Sequence, residues 1–422
     1  MNADTTESVF SLQGSTLKFD TLASIEPFLL QIDAVPQLEE IRLSGNTLGV
    51  EACAGVGKLL ATKQSLKVRR PSRFPLSPSS STRFSAVKSK RAKIEISLSS
   101  LQIADFSDIF TGRLISEIPL SLTSLCTSLL HLPHLTTLDL SDNAFGGRSV
   151  EPMLSLLSTH TSLRVLKLNN NGLGPMGGAT VAGALLENAE RAKKEGRVAS
   201  LRTIICGRNR LENGSAKAWA DAFAALGGLV EVRLPQNGIR MEGIALLVAG
   251  LRSNSNLAIL DLQDNTATLS GSKAIAASLP SWPKLTSLNL SDCLLKPRGG
   301  LAIAAILATG SNPLLTSLKL QSNELDARAV EVLARAIKDH LSGLVELELN
   351  GNRGESDDEC YVKIVEALEG WGHAAALDEL DEMEEAESDE EEEDDEEEVV
   401  AEESKEDKEE VDELSAALSK VL

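Results

Sequence analysis

The sequence predicts an α/β solenoid of leucine-rich repeats, and three observations support that fold class. The pattern L-x-x-L-x-L-x-x-N returns many times along the 422 residues. Most steps between its asparagine positions measure 28 to 30 residues. Segments rich in Ala and Leu, with apolar residues at helical spacing, separate the copies. Strands and helices that alternate at this period stack into one curved sheet with the helices outside it.

The pattern can be read nine times. The leucines of each copy are expected to point into the core, while the side-chain amide at the asparagine position pairs with backbone groups of a buried turn. The nine positions hold Asn46, Asn143, Asn171, Asn209, Asn237, Asn265, Cys293, Asn323 and Asn352. We therefore predict one ribonuclease-inhibitor-like horseshoe over residues 1–376, with a parallel sheet on its concave face, rather than about three separate domains.

A tenth, less regular copy is expected after Asn46. Its leucine positions are assigned to Leu98, Leu101 and Ile103, with Phe106 at the asparagine position. This assignment puts 60 residues between Asn46 and Phe106, about twice the period.

A surplus segment explains the long step. The similar phrases Ser65-Leu66-Lys67-Val68 and Ser100-Leu101-Gln102-Ile103 lie 35 residues apart. The first part of the segment between them, residues 69–93, contains eight basic side chains and no acidic one. We predict that residues 69–99 form a disordered basic insertion in the repeat domain. Its origin stays open between a genuine insertion and retained intron sequence.

The charge is unevenly distributed along the chain. Residues 378–422 hold 25 Asp and Glu against three Lys, whereas the preceding residues hold 37 acidic and 38 basic side chains. A near-neutral body excludes a generally basic nucleic-acid binder. Residues 377–422 are predicted to be an acidic disordered tail, because such a block repels itself and buries little apolar surface.

Signatures of catalysis and of metal binding are missing from the sequence. Residues 54–58 resemble part of a phosphate-binding loop, but Ala52 and Leu59 replace the glycine and the hydroxyl residue that the loop needs. The histidines lack metal-ligand spacing, and the five cysteines form no C-x-x-C pair. We therefore expect no active site of the chain's own, no cofactor and no metal. The cysteine usage and a start without a signal peptide favour a reduced, cytoplasmic location without a membrane span.

Function is instead expected on the surface of the horseshoe, at the edge where the strands end. Polar residues follow consecutive strands there, and loops at such an edge commonly carry binding residues. The eight candidates are Arg113, Asp142, Asn143, Asn170, Arg208, Arg210, Gln236 and Asp264. Taken together, they predict a ridge that binds a partner protein.

Several stretches around these residues resemble a known family, the GTPase-activating proteins of the small nuclear-transport GTPase Ran. The resemblance is to the compact fungal-type members, and it covers nearly the whole chain except residues 69–99. The stretches are Phe106-Ser-Asp-Ile-Phe-Thr-Gly-Arg113, Asn169-Asn-Asn-Gly-Leu-Gly-Pro175, Ile205-Cys-Gly-Arg-Asn-Arg-Leu-Glu-Asn-Gly-Ser215, Leu347-Glu-Leu-Asn-Gly-Asn-Arg353 and Leu377-Asp-Glu-Leu-Asp-Glu-Met-Glu-Glu385.

The resemblance implies an activator that works on the active site of its partner. Asn170 is implied to hold the catalytic Gln of the GTPase, and Arg113 is implied to support the interface rather than to act as an arginine finger. The other six candidates are expected to contact the partner. That partner is Ran in its GTP form, and GTP and Mg²⁺ belong to it. Whether a Ran-binding protein joins the complex, and whether the cytoplasmic activator concentrates near the nucleus, stays open. The activator itself is expected to be a monomer.

The alternative is a repeat scaffold or inhibitor that binds a basic protein through acidic surface, in the manner of ribonuclease inhibitor. Two features separate the readings. A general scaffold has no reason to carry the stretches 106–113 and 169–175, and inhibitors of that type are rich in cysteine, unlike this chain. The activator is therefore the favoured reading.

Overall fold

A computed structural model describes residues 4–5, 8–62 and 100–384. The predicted insertion at 69–99 and the acidic run beyond Glu384 lie outside these residues. Within the described ranges, twelve strands form one sheet whose neighbours are parallel, except for the first two strands. The sheet strands are β1 (Asp4–Thr5), β2 (Val9–Ser11), β4 (Glu40–Arg42), β6 (Ile103–Asp105), β7 (Thr137–Asp139), β8 (Val165–Lys167), β9 (Thr203–Ile205), β10 (Glu231–Arg233), β11 (Ile259–Asp261), β12 (Ser287–Asn289), β13 (Ser317–Lys319) and β14 (Glu346–Glu348).

The helices alternate with the strands, as the repeat predicts. A small second sheet pairs β3 (Lys18–Phe19) with β5 (Thr47–Leu48). The helices are α1 (Leu22–Ala34), α2 (Val50–Thr62), α3 (Ile118–Leu129), α4 (Glu151–Thr159), α5 (Gly174–Lys194), α6 (Glu212–Leu226), α7 (Met241–Leu251), α8 (Thr268–Ser278), α9 (Lys296–Leu307), α10 (Ala327–His340) and α11 (Glu359–Gly370). The predicted leucine-rich-repeat solenoid is confirmed.

The buried asparagines link one repeat to the next and are called the Asn ladder. The amide Nδ2 of Asn171 donates to Leu140 O and Leu168 O, at 3.0 Å each. Its Oδ1 accepts from the backbone N–H of Asn143, the preceding member of the ladder, at 3.0 Å. One side chain thus bonds to three buried backbone groups. The two carbonyls also accept from the neighbouring ladder residues Asn143 and Asn209, whereas the N–H of Asn143 would be unpaired without Asn171, at a cost of about 1–3 kcal/mol. The ladder comprises Asn46, Asn143, Asn171, Asn209, Asn237, Asn265, Asn323 and Asn352.

The register predicted for the tenth copy is wrong by three residues. Ala104 pairs with Ile41 on one side and with Leu138 on the other, so Ala104 occupies the central leucine position. Ile103 points toward the concave surface instead, because side chains alternate along a strand. Ile109, rather than Phe106, stands at the asparagine position, where its N–H donates to Asn143 Oδ1 at 2.9 Å. An isoleucine has no amide, so the Asn ladder is interrupted at this repeat.

The structure adds a repeat before the first one that the sequence pattern showed. Strand β2 pairs in parallel with β4, and its Phe10 is fully buried. Sequence reading missed it because, in this register, Ser15 stands where the pattern requires Asn.

The repeat fold extends to Glu384, eight residues beyond the boundary expected at 376. Asp378 accepts from the N–H groups of Leu349 and Asn350 at 2.8 and 3.1 Å, while its own N–H donates to Leu347 O. Leu377, Leu380 and Met383 pack against the core. Residues 376–384 therefore cover the free edge of β14, which would otherwise expose unpaired backbone groups. Burial raises the pKa of Asp378, and the two backbone donors oppose that rise.

Candidate functional site

The residue just before each asparagine position has a positive φ angle. These residues form a row along the carboxyl edge of the sheet, called the αL row. Its non-glycine members are Asp108, Asp142, Asn170, Arg208, Gln236, Asp264, Asp292 and Ser322, with φ between 47° and 60°. L-residues visit this region rarely, and Asn and Asp visit it more easily than most.

A backbone hydrogen bond holds each of these turns. The N–H of Asp142 donates to Asn169 O at 2.8 Å, and the N–H of Asn170 donates to Gly207 O at 2.9 Å. The same bond to the following repeat recurs at Arg208, Gln236 and Asp264. The row is therefore set by the main chain, and its side chains can vary. The structure brings together five of the predicted site residues in it: Asp142, Asn170, Arg208, Gln236 and Asp264.

Asn170 is exposed, and its backbone is fixed from two directions. Besides the bond from its own N–H to Gly207 O, the adjacent Asn169 Oδ1 accepts from Gly207 N–H at 2.6 Å. Gly207 must be glycine here, because a Cβ would lie 2.7 Å from Pro235 Cγ and 3.0 Å from Pro235 O. Sequence reading did not single out Gly207, since the contact with the following repeat has no signature in the chain.

The side chain of Asn170 is engaged at one end. Its Nδ2 donates to Asp142 Oδ1 at 3.0 Å. Its Oδ1 has no hydrogen-bond partner among the described residues. A carboxamide of this kind offers an acceptor to a molecule that approaches the edge.

Arg113 lies away from the αL row, in the loop between β6 and α3. Its Nη2 contacts Asp20 Oδ1 at 2.6 Å and the carbonyl of Phe19 at 3.4 Å, and its side chain is 12% exposed. Gly49 leaves room for the guanidinium, because a Cβ there would lie 3.2 Å from Arg113 Nη1. The structure thus joins Arg113 to the N-terminal repeat rather than to Asn170.

Asn143 corrects one sequence prediction. It was expected to contact a partner, but it is 1% exposed and belongs to the Asn ladder. Its Nδ2 donates to Phe106 O and Leu140 O, and its Oδ1 accepts from Ile109 N–H. The whole amide is therefore used inside the fold, and the assignment to partner binding is wrong.

Arg210 follows the ladder residue Asn209 and has its own positive φ of 53°. Together with Gln236, Asp264 and Asp292 it lines an open cleft of about 610 Å³ beside the αL row. The cleft is lined by polar groups of both charges, and its form suits a protein surface better than an enclosed small molecule.

The concave face beside the row carries charges that are largely paired within the chain. Asp139 faces Lys167 at 3.4 Å, and Arg233 bonds to Glu231 at 2.6 Å. In the part of the chain that the structure describes, no group of three or more His, Cys, Asp or Glu side chains could hold a metal. No helix in these ranges has the length and apolar character needed to span a membrane. Burial raises the pKa of the thiols of Cys53, Cys126, Cys206 and Cys293 to about 12, so these cysteines serve packing.

The fold and this edge define a leucine-rich-repeat protein with an exposed polar row. A family model described as Leucine Rich repeat matches residues 131–154, 283–304 and 311–334. Ran GTPase-activating protein 1 of Saccharomyces cerevisiae is 36% identical to this chain over 363 residues, which cover 84% of the chain and 80% of the yeast protein. The chain belongs to the Ran GTPase-activating protein family.

Relatives from animals match a smaller part. Ran GTPase-activating protein 1 of Xenopus laevis is 37% identical over 240 residues, 56% of this chain and 35% of the frog protein. Ran GTPase-activating protein 2 of Caenorhabditis elegans is 41% identical over 239 residues, 56% of this chain and 21% of the nematode protein.

Proposed function

We propose that this chain stimulates GTP hydrolysis by the small GTPase Ran in its GTP form, through the exposed amide of Asn170. Membership of the Ran GTPase-activating protein family supports the class of activity. The observation that supports the site is the state of Asn170 itself. Its backbone is fixed by Gly207, its Nδ2 is held by Asp142, and its Oδ1 is open to a partner.

The proposed chemistry is orientation of a group that the partner supplies. A small GTPase hydrolyses GTP slowly unless the Gln that orients the attacking water is well held. Asn170 Oδ1 accepts from the side-chain NH₂ of that Gln, which leaves the Gln carbonyl free to accept from the water. Fixing one reactive group in this way is worth about a hundredfold in rate. GTP and Mg²⁺ stay in the partner throughout.

Arg113 has a supporting role in this proposal. An arginine finger must reach the transferred phosphate of the partner. The guanidinium of Arg113 is instead largely covered and paired with Asp20. It fixes the loop after β6 against the N-terminal repeat, which shapes the edge next to the αL row.

Four further residues at this edge, Arg208, Arg210, Gln236 and Asp264, form the contact surface for Ran. Arg208 and Gln236 are exposed beside Asn170, and Arg210 and Asp264 line the adjoining cleft. The activator acts as a monomer in the cytoplasm, where it keeps Ran in the GDP form and sustains directed nuclear transport. A Ran-binding protein that joins the complex must leave this row accessible.

A single-turnover assay of Ran-GTP hydrolysis, with and without the chain, tests the proposal. The wild-type chain should accelerate hydrolysis by at least about a hundredfold. Asn170→Ala should lose most of that acceleration at saturating concentration, with the Kd for Ran bound to a non-hydrolysable GTP analogue changed less than about threefold. Asn256→Ala is the matched control, since Asn256 is exposed at the opposite edge of the sheet. No acceleration by the wild type would overturn the function, and full activity of Asn170→Ala would overturn the site.

A further inference from the structure

We propose that Asp142 is a positioning residue, which determines which end of the Asn170 amide faces the partner. This inference rests on the proposed function. It replaces the expectation that Asp142 contacts the partner directly.

The two residues occupy the same position in consecutive repeats. The N–H of Asp142 bonds to Asn169 O and the N–H of Asn170 bonds to Gly207 O, so both main chains are anchored. The remaining freedom lies in the side-chain amide of Asn170. A rotation of that amide by 180° about the Cβ–Cγ bond exchanges the positions of Oδ1 and Nδ2. The two groups have nearly the same size, but one accepts hydrogen bonds and the other donates them.

The carboxylate of Asp142 removes this ambiguity. An ionised carboxylate can only accept hydrogen bonds, so the 3.0 Å contact with Asp142 Oδ1 requires Nδ2 of Asn170 on that side. Oδ1 must then point away from Asp142. The neighbour on the other side of the row, Arg208, carries only donors in its side chain and cannot hold Nδ2.

The orientation matters because the partner's Gln presents an NH₂ group. If the Asn170 amide were reversed, its own NH₂ would meet that NH₂, and neither could accept. The hydrogen bond would be lost, and two NH₂ groups would face each other instead. Asp142 thus acts on hydrolysis only through Asn170.

The test is a double-mutant cycle between Asp142 and Asn170, followed by single-turnover hydrolysis of Ran-GTP. Asp142→Asn keeps the shape but can donate as well as accept, so both amide orientations become possible. The rate at saturating activator should fall by about two- to tenfold, twofold if the two orientations become equally populated and more if the new amide favours the reversed one, with the Kd for Ran changed less than about twofold. In the Asn170→Ala background, Asp142→Asn should change nothing further. Asp339→Asn, at an exposed position of α10 outside the αL row, should leave the rate as in the wild type.

A second readout needs no Ran. The side-chain amide resonances of Asn170, assigned by their loss in Asn170→Ala, should shift in Asp142→Asn in the free protein, while the Tm stays within about 2 °C. Wild-type rate together with unshifted resonances in Asp142→Asn would overturn the positioning role. A rate loss that persists in the Asn170→Ala background would also overturn it, because Asp142 would then act on Ran directly. If the wild-type chain does not accelerate hydrolysis, the proposed function is overturned. The positioning role is overturned with it, even if the resonances shift, because the contact between Asp142 and Asn170 would then have no effect on hydrolysis.

Discussion

Asn170 and Asn171 are adjacent and carry the same side chain, yet they serve opposite purposes. Asn171 is fully buried, and its side-chain amide forms hydrogen bonds to three backbone groups. Asn170 is exposed. Its Nδ2 donates to Asp142, and its Oδ1 has no partner among the described residues. The positive φ at Asn170 turns the chain between them, so one amide points inward and the other outward. Within one repeat, the position in the turn rather than the residue type decides between stability and recognition.

Removing the buried side-chain amide of Asn171 should have the largest effect on stability. Asn171→Ala leaves the N–H of Asn143 buried without an acceptor and removes one of the two side-chain donors from Leu140 O and from Leu168 O, so the free energy of unfolding should fall by about 2–5 kcal/mol. Denaturant unfolding measures this directly. Asn170→Ala is the control, and it should lose less than about 1 kcal/mol. Similar losses in the two variants would contradict the division between the Asn ladder and the αL row.

The end of the ladder offers a second test. The carboxylate of Asp378 substitutes at β14 for the backbone of a following strand, because it accepts from the N–H groups of Leu349 and Asn350, whereas the N–H of Leu320 in the preceding repeat donates to Glu348 O. A chain that stops at Ala375 should lose about 2–4 kcal/mol of unfolding free energy, through unpaired backbone groups and exposure of apolar surface beside Leu347. A chain that stops at Glu384 should unfold like the full chain. Equal stability of the two shortened chains would show that residues 376–384 contribute nothing.

The distinction between these roles was only partly predictable. The spacing of the leucines is local and strict, so it predicted the solenoid, the buried asparagine position and the exposed residue before it. The same spacing assigned Phe106 wrongly, because a strand with Ala104 at its central position lacks the leucine that sets the register. Asn143 occupies the same buried position as Asn171, so the leucine spacing itself assigns it to the core rather than to the contact surface.

Contacts between distant parts of the chain explain the other differences. Arg113 pairs with Asp20, which lies 93 positions earlier, and no periodic pattern encodes that pair. Residues 377–384 continue into an acidic run, so composition alone placed them in the tail. Only the position of Asp378 beside two free N–H groups shows that they complete the fold.

The smallest expected effect concerns pH. His160 is buried, and burial lowers the pKa of its imidazole below the usual 6.5, although the contact with Leu132 O opposes this. His160 therefore binds a proton near pH 6.5 in the unfolded chain, but only at a lower pH in the folded chain. The stability that His160 contributes is present above pH 6.5 and is lost as the pH falls below it, by at most about 1.4 kcal/mol per pH unit.

Asn254 and Asn312 occupy the equivalent position in later repeats and donate to backbone carbonyls there. His160→Asn should therefore keep the stability at pH 7.5 within about 1 kcal/mol and reduce its decline between pH 6.5 and 5. Denaturant midpoints of both proteins across this range provide the measurement. An unchanged decline would mean that other groups cause it.

The most direct test of the central claim pairs Asn170 with the group on which it is proposed to act. Single-turnover hydrolysis is measured for four combinations: wild-type or Asn170→Ala activator, each with wild-type Ran or with Ran whose catalytic Gln is replaced by Ala. If Asn170 works by holding that Gln, its replacement lowers the rate about a hundredfold with wild-type Ran and has no effect with the altered Ran. An equal loss with both forms of Ran would contradict the account, because Asn170 would then act on something other than the Gln.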